Sequence, residues 1–297
     1  SDEPIFLVWA DSGAATRNWG DKLNPVMGAL LSDRPVAHGR ARTRSDTALV
    51  NRMIGSSLAG ANMREAVYGT GFIDTGDVPK KAKVIGAVRG PLSQRKLTEA
   101  GIEAPALFGD LALLMPLFYR PTVEKTYDLG IIQHFRDAQN EPMPEIPAGM
   151  KVRRIDILGS ITGVVDEILS CREVCSSSLH GLIASHAYGV PGTWIKFGNW
   201  PVGDDFKFRD YLMSAGWDAP EPFLIEKGRT TAADLVGEKI TTRSLVDVPK
   251  LIAACPFIDE ARKETLIRRA EQDFPRIPDI RFLAPASAAR SGHAAAA

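Results

Sequence analysis

Cysteine is scarce in this chain of 297 residues, which contains only Cys171, Cys175 and Cys255. An odd and sparse set predicts no disulfide framework and matches no C-x2-C metal site. The sequence also has no H-E-x-x-H, no Cys/His cluster at zinc spacing and no two aspartates as D-x-D. We therefore expect a protein of a reducing compartment that uses no metal and no bound cofactor, with dispersed metal ligands as the alternative.

Charge of one sign is not in excess either, since 36 Lys and Arg residues balance 36 Asp and Glu residues. Nucleic-acid binders normally carry a basic excess, so this class is excluded. The longest apolar stretch, residues 107–119, is broken by Gly109 and Asp110 and is too short to cross a membrane. The first four residues lack a basic region followed by an apolar core, so we predict no signal peptide and a cytoplasmic location.

What the sequence does contain is a repeated strand–loop–helix rhythm. Residues 5–9, 82–88 and 129–132 predict strands, and a helix is predicted from Pro91 to the stop at Gly101. Such a rhythm implies crossover units and parallel sheets. We predict an α/β fold with two Rossmann-like domains facing a cleft. The first domain spans 1–122, the second spans 123–284 and includes closing helices, and 285–297 form a flexible tail.

The serine-rich junction at residues 176–181 (Ser-Ser-Ser-Leu-His-Gly) is the most informative segment. It lies between a predicted strand and a predicted helix, where free backbone N–H groups and the helix dipole favour anions. His180 falls in the first helical turn, where it could donate to a phosphate or act as an acid. The alternative is that the serines cap the helix and His180 packs against the sheet.

Two further junctions belong to the first predicted domain. Asn18 and Asp21 follow the first strand, at the sheet edge where open α/β proteins bind ligands. Asp21 could accept a proton from a sugar hydroxyl, although Asn and Asp are also favoured at helix starts. Arg89 ends another strand, and its guanidinium suits carboxylate or phosphate. A surface salt bridge is the alternative role for Arg89.

An aromatic segment, residues 194–217, interleaves seven aromatic side chains with charged ones, which suits a sugar-binding wall or a lid. The alternative is a small hydrophobic core beneath a loop. His134 follows a predicted strand and would point into the same cleft, although a structural role is also open. For Gly109-Asp110 we favour simple turn chemistry.

Taken in order, these segments resemble the polysaccharide pyruvyltransferase family. The matching segments are Asn18-x-Gly20-Asp21, Gly69-Thr70-Gly71, Arg89-Gly90-Pro91-Leu92-Ser93, Gly109-Asp110, residues 131–134, and Ser177-Ser178-Leu179-His180-Gly181 with Ala187-x-Gly189-x-Pro191. The run Lys207-Phe208-x-Asp210-Tyr211 looks more narrowly like bacterial exopolysaccharide ketal-pyruvate transferases of the succinoglycan type. One departure is Ser178, where many members carry Arg, so an anion contact attributed to that Arg must come from Arg89, Lys196, Lys207 or Arg136.

The resemblance implies a two-domain fold similar to that of GT-B glycosyltransferases. It implies phosphoenolpyruvate as donor and a terminal hexose of a lipid-linked oligosaccharide as acceptor. The product would be a 4,6-ketal of pyruvate, with release of phosphate. It also implies peripheral contact with the inner face of the cytoplasmic membrane. The alternatives are a nucleotide-sugar-dependent GT-B glycosyltransferase and a non-catalytic module that binds sugars or anions.

Each candidate residue has an expected role in that reaction. We predict His180 as the acid that protonates the donor and Asp21 as the base that deprotonates the sugar hydroxyl. The predicted donor-binding residues are Arg89, Ser177, Ser178, His134, Lys196 and Lys207. The predicted acceptor-binding residues are Asn18, Trp19, Trp200, Asp210 and Tyr211.

Overall fold

A computed structural model describes residues 3–43, 46–198, 203–237 and 246–273. Its strands form two parallel sheets of five strands each. The first sheet has the order β2-β1-β3-β4-β5, and the second has the order β10-β9-β8-β6-β7. The strands are β1 Ile5–Val8, β2 Val36–His38, β3 Val50–Arg52, β4 Glu65–Tyr68, β5 Val84–Ala87, β6 Tyr127–Ile132, β7 Val152–Arg154, β8 Cys171–Ser176, β9 Gly192–Lys196 and β10 Phe223–Leu224.

Helices join these strands and follow the second sheet. They are α1 Trp19–Ser32, α2 Pro91–Glu99, α3 Phe135–Asn140, α4 Ile161–Leu169, α5 Leu179–Ala187, α6 Phe206–Ser214, α7 Val248–Ala253 and α8 Glu260–Asp273. A buried 3-10 segment, Leu111–Leu117, links the two halves of the chain. The predicted α/β class with two parallel sheets is confirmed, whereas the likeness to GT-B enzymes stays a prediction.

The strand-to-helix junctions of the two sheets meet because α1 packs across onto the second half. The Trp19 backbone N–H donates to Ile157 O (3.0 Å), and Trp19 Nε1 donates to Ile161 O (3.0 Å). Lys22 Nζ donates to Leu158 O (3.1 Å). One continuous hydrophobic cluster runs through both halves, so the start of α1 is fixed against the second sheet.

The last two described helices return to the first half of the molecule. Arg262 Nε on α8 donates to Leu31 O on α1 (3.0 Å), and its Nη2 donates to Leu30 O (2.6 Å). Tyr68 at the end of β4 donates its hydroxyl to Leu251 O on α7. These closing helices therefore contact the first half of the chain, while their predicted assignment to the second domain and the boundary near residue 122 stay predictions. Within the described ranges, no helix is long and apolar enough to span a membrane.

Candidate active site

His180 lies in the first turn of α5, where the serine-rich junction holds it in place. Ser176 ends β8, and its Oγ accepts from the Ser178 backbone N–H (3.0 Å) and donates to Ser178 O (2.8 Å). A Cβ at Gly181 would overlap Ser176 Oγ, so this tight turn needs glycine at that position. The serine cluster therefore shapes the turn that presents His180.

A buried carboxylate orients the His180 ring. His180 Nε2 lies 3.2 Å from Asp110 Oδ2, and Asp110 is fully buried while His180 is partly exposed. The other oxygen of Asp110 accepts from the Ala112 backbone N–H (2.9 Å) and begins the 3-10 segment. The predicted turn role of Asp110 is thus only half of its function. No sequence signal shows that its second oxygen reaches a histidine 70 positions away.

The start of α1 closes over the other side of the same ring. A Cβ at Gly20 would overlap His180 Nδ1, so only glycine at this position leaves room for the imidazole. The Trp19 and His180 rings have their centroids 6.5 Å apart. Asn18 accepts at its Oδ1 from the Gly20 backbone N–H (3.2 Å), which begins the helix. The starts of α1 and α5 thus meet around the His180 ring.

Asp21 lies one residue after Gly20 and is half-buried. Burial raises its pKa, and the positive charges of His180 and Lys207 oppose that rise. The opposition shows that the three groups share one electrostatic environment. A carboxylate with a raised pKa is a stronger base than an exposed aspartate.

Lys207 on α6 contributes the cationic side of the cluster. The pKa of Lys207 is lowered to about 8, first by burial and then by the charge of Arg89, while the charges of Asp205 and Asp21 oppose this shift. Asp205 itself adopts a left-handed backbone (φ 67°) and accepts from Lys196 Nζ at 2.7 Å. Lys196 is therefore paired with a carboxylate, whereas Lys207 lies half-buried between opposite charges, a common situation in functional sites.

Arg89 lies in the protein core rather than on the surface. Its side chain is fully buried, and its Nη2 lies 3.0 Å from Asp210 Oδ2. Its guanidinium also donates to Ser56 Oγ (2.8 Å) and to Phe72 O (2.5 Å). Asp210 accepts in addition from the backbone N–H and the hydroxyl of Ser93 (2.9 and 2.6 Å). Direct contact of Arg89 with the donor, or of Asp210 with the acceptor, does not match this packing, because the two charges neutralise each other in the core.

Two predicted acceptor contacts are also buried. Tyr211 is fully buried, and its hydroxyl lies 2.8 Å from His186 Nδ1. Trp19 is fully buried at the contact with α4. Both side chains hold elements together, so the structure gives them no surface for a sugar. Trp200 lies outside the described residues, and its predicted role stays a prediction.

The aromatic segment divides between core and surface. Trp194 and Phe208 stack with their centroids 4.7 Å apart and are buried, which favours the hydrophobic-core alternative for this pair. Trp217 is 38% exposed. The segment therefore does not form one continuous sugar-binding wall among the described residues.

His134 and Ser177 contact each other just after the ends of β6 and β8. Ser177 Oγ donates to Asp137 Oδ2 (2.6 Å) and accepts from the His134 backbone N–H (2.9 Å). Burial and the nearby charges of Lys207 and Arg136 lower the pKa of His134 to about 4. His134 is therefore neutral at neutral pH and can offer a donor anion only a hydrogen bond. Ser177 and Ser178 are both buried, so any contact with a donor would come from the turn backbone.

The assembled cluster combines an oriented imidazole, a carboxylate of raised pKa and a cation of lowered pKa. This set can donate a proton, accept a proton and hold an anion within one site. Within the described part of the chain, no group of three or more His, Cys, Asp or Glu side chains is placed to hold a metal ion.

Comparison with known proteins identifies the family. Residues 68–198 match the family model for polysaccharide pyruvyl transferase. The chain belongs to the polysaccharide pyruvyl transferase family. It is 32% identical over 207 residues to an uncharacterized protein of Acanthamoeba polyphaga mimivirus, covering 67% of this chain and 71% of the viral protein.

A second relative carries a descriptive name. The chain is 28% identical over 210 residues to the succinoglycan biosynthesis protein ExoV of Rhizobium meliloti, covering 67% of this chain and 62% of ExoV. The family match includes Arg89, Asp110 and His180, whereas Asp21 and Lys207 lie outside it. The site is thus completed by residues on both sides of the matched segment.

Proposed function

We propose that this protein transfers the pyruvyl group of phosphoenolpyruvate to a terminal hexose of a lipid-linked exopolysaccharide repeat, forming a 4,6-ketal and releasing phosphate. The observation that carries the proposal is the His180–Asp110 pair at the start of α5, which lies against the start of α1 and shares one electrostatic environment with Asp21 and Lys207. Family membership and the similarity to ExoV support the same reaction.

Lys207 takes the anion-binding role that the family Arg would have at Ser178. Phosphoenolpyruvate carries a carboxylate and a phosphate, so it needs concentrated positive charge in a protein with no net charge. Arg89 is neutralised by Asp210 and Lys196 is paired with Asp205. Lys207 is the cation whose charge acts on the proposed base Asp21, and we assign anion binding to it together with the backbone N–H groups at the start of α5.

The proton steps balance over one turnover. Protonated His180 gives its proton to the methylene carbon of the donor, which becomes a methyl group and leaves a cationic centre at the neighbouring carbon. The first sugar hydroxyl attacks that carbon and gives its proton to Asp21. The bond from carbon to the phosphate oxygen then breaks, and phosphate leaves with the proton from Asp21. The second hydroxyl closes the ketal and returns a proton to His180.

Asp110 acts as a positioning residue in this scheme. Its buried carboxylate fixes the imidazole orientation through Nε2 and stabilises the protonated ring. Asn18 holds the start of α1, and thereby Asp21, in register with His180. We therefore place the acceptor hydroxyl beside Asp21, in the first turn of α1.

The test supplies the protein with phosphoenolpyruvate carrying carbon-13 at its methylene carbon and with a panel of methyl hexosides and alkyl-linked disaccharides. We expect phosphate release that requires an acceptor, and a new ketal methyl signal by NMR. In deuterium oxide the ketal methyl should gain one solvent deuterium. His180→Ala should lower turnover about 100-fold or more, because general acid catalysis contributes that much.

The control separates chemistry from folding. His180→Ala must keep the circular dichroism spectrum and unfolding midpoint of the wild type. Near-normal turnover in that folded variant would remove His180 from the reaction. Consumption of a nucleotide sugar in place of phosphoenolpyruvate would indicate a glycosyltransferase, and binding without phosphate release would indicate a non-catalytic module.

A further inference from the structure

A separate pocket lies beside the proposed site, at the carboxyl edge of the second sheet. Its volume is about 330 Å³, which is at the small end of the range for ligand pockets. One wall is the start of α3, and the other is the segment that follows β7. The side chains that matter for its chemistry are Gln133, Phe135, Ala138, Arg154, Asp156 and Leu158.

Gln133 lines this pocket, and its buried amide oxygen has no hydrogen-bond partner among the described residues. Its side chain is 3% exposed, and its Nε2 donates to Glu141 O at 3.1 Å. That bond fixes the amide orientation, so the remaining atom is the acceptor Oε1, which has no hydrogen-bond partner among the described residues. Buried polar atoms are normally paired, and an acceptor of this kind needs an O–H or N–H donor from a ligand or water.

The rest of the lining suits an uncharged, polyhydroxylated molecule. Phe135 and Leu158 are half-buried and supply an apolar face. Arg154 and Asp156 are exposed at the rim and carry opposite charges. Arg154 Nη2 lies 3.3 Å from Ala138 O, which holds the guanidinium across the pocket. A ring with one apolar face and several hydroxyls would match both halves of this lining.

Three contacts connect the pocket to the proposed active site. The segment after β7 is tied to α1, because Trp19 N donates to Ile157 O (3.0 Å) and Lys22 Nζ donates to Leu158 O (3.1 Å). On the other wall, the Phe135 ring lies against the His134 ring, with centroids 4.4 Å apart. The pocket therefore borders the groups that we assign to donor and acceptor.

We propose that this pocket is a subsite for the second sugar of the acceptor chain, with Gln133 Oε1 accepting a hydrogen bond from one of its hydroxyls. The assignment rests on the proposed function for the identity of the acceptor. When the terminal hexose is bound at Asp21, the sugar next to it in the chain would lie near Gln133. The enzyme would therefore recognise the last two sugars of the acceptor rather than the terminal hexose alone.

The test measures binding without turnover. The full-length protein is titrated by calorimetry with methyl glucoside, galactoside and mannoside and with the β-1,4-linked disaccharide glycosides of the same sugars. We expect at least one disaccharide to bind about tenfold more tightly than its monosaccharide, the value of one good hydrogen bond. Ala138→Trp, which fills the pocket, should remove that gain. Asn140→Trp, exposed on the same helix and outside the lining, should keep it.

A second variant tests the amide oxygen itself. Gln133→Leu should lower disaccharide affinity to the monosaccharide value, with a folded protein confirmed by its unfolding midpoint. An unchanged preference in both Gln133→Leu and Ala138→Trp would overturn the subsite and indicate water as the partner of Gln133. Equal affinity of the wild type for both sugar sizes, or no binding of any probe, would also overturn it. A preference that the variants abolish, in a protein that never consumes phosphoenolpyruvate, would keep the subsite and refute the proposed function.

Discussion

Arg89 and Lys207 are both cations predicted at the donor site, yet the structure places Arg89 in the core and Lys207 nearer the surface. Arg89 is fully buried and bound to Asp210, Ser56 and the Phe72 carbonyl. Lys207 is half-buried, and its pKa responds to Asp21 and Asp205 as well as to Arg89. The two lie close enough that the charge of Arg89 lowers the pKa of Lys207.

The difference shows that a cation at the end of a strand, even within a sequence motif, can stabilise the fold instead of binding a ligand. Arg89 and Asp210 lock α2 to α6, since Asp210 also accepts from the Ser93 backbone N–H. That lock sets where Lys207 lies, three residues before Asp210. The buried Arg89–Asp210 pair thus holds the half-buried Lys207 in position. Substitutions at Arg89 and at Lys207 can therefore test the two roles separately.

The largest expected effect is a loss of stability when the buried Arg89–Asp210 ion pair is broken. Arg89→Met leaves Asp210 buried without its cation, which should lower the free energy of unfolding by about 3–5 kcal/mol. Urea unfolding followed by circular dichroism measures this change. A loss below about 1 kcal/mol, the range of exposed ion pairs, would contradict a structural role for Arg89.

The second largest effect is expected from Lys207, whose substitution should change donor binding without destabilising the fold. Lys207→Met should raise the apparent KM for phosphoenolpyruvate about 10- to 100-fold, because it removes a charge-assisted contact. Its free energy of unfolding should not fall below that of the wild type, because burial disfavours the charged form of Lys207. Steady-state kinetics with phosphate detection measures KM. An unchanged KM would exclude Lys207 from the donor site.

A third change moves only the imidazole. Gly20→Ala places a Cβ against His180 Nδ1 and should lower turnover by up to about 100-fold, since small displacements of a catalytic group are costly. Gly198→Ala is the matched control, because a Cβ there meets nothing within 4 Å. Equal turnover in the two variants would show that the contact between α1 and His180 has no role in the reaction.

The smallest effect is a pH dependence specific to Lys207. Its pKa of about 8 means that the amine loses its charge as pH rises through 8, so the donor KM should rise about tenfold between pH 7 and pH 9. Donor affinity should therefore fall with rising pH, whereas the stability of the fold should increase. The unfolded chain binds more protons between pH 8 and 10.5, so the free energy of unfolding rises there.

A conservative replacement checks that assignment. Lys207→Arg keeps its charge over this range and should flatten the KM profile, even if its KM is higher throughout. A profile that keeps its rise above pH 8 in Lys207→Arg would assign the titration to another group.

The sequence predicted the strands and helices better than the long-range contacts between them. The apolar runs and the turn residues around Pro91 and Gly101 identified strands and helices, because these patterns are local. The three-residue strands β2 and β3 were not predicted, since each is too short to show periodicity. The return of α8 to α1 depends on contacts between residues more than 200 positions apart, and no local pattern encodes it.

The same limit applies to the site. The first turn of α5 and the start of α1 were identified because strand-to-helix junctions collect ligand groups. The sequence predicts a turn role for Asp110, which is local, and gives no signal for its contact with His180, which is not local. Trp19 was assigned to the acceptor, but its large apolar surface serves the contact between the halves.

The most direct test of the whole account is a calorimetric comparison of donors. Phosphoenolpyruvate and the uridine and guanosine diphosphate sugars are titrated into the wild type and into Lys207→Met, each with the accepted methyl glycoside present. The account predicts saturable binding of phosphoenolpyruvate alone, weakened about 10- to 100-fold in Lys207→Met. Binding of a nucleotide sugar in its place, or phosphoenolpyruvate affinity that ignores Lys207, would contradict it.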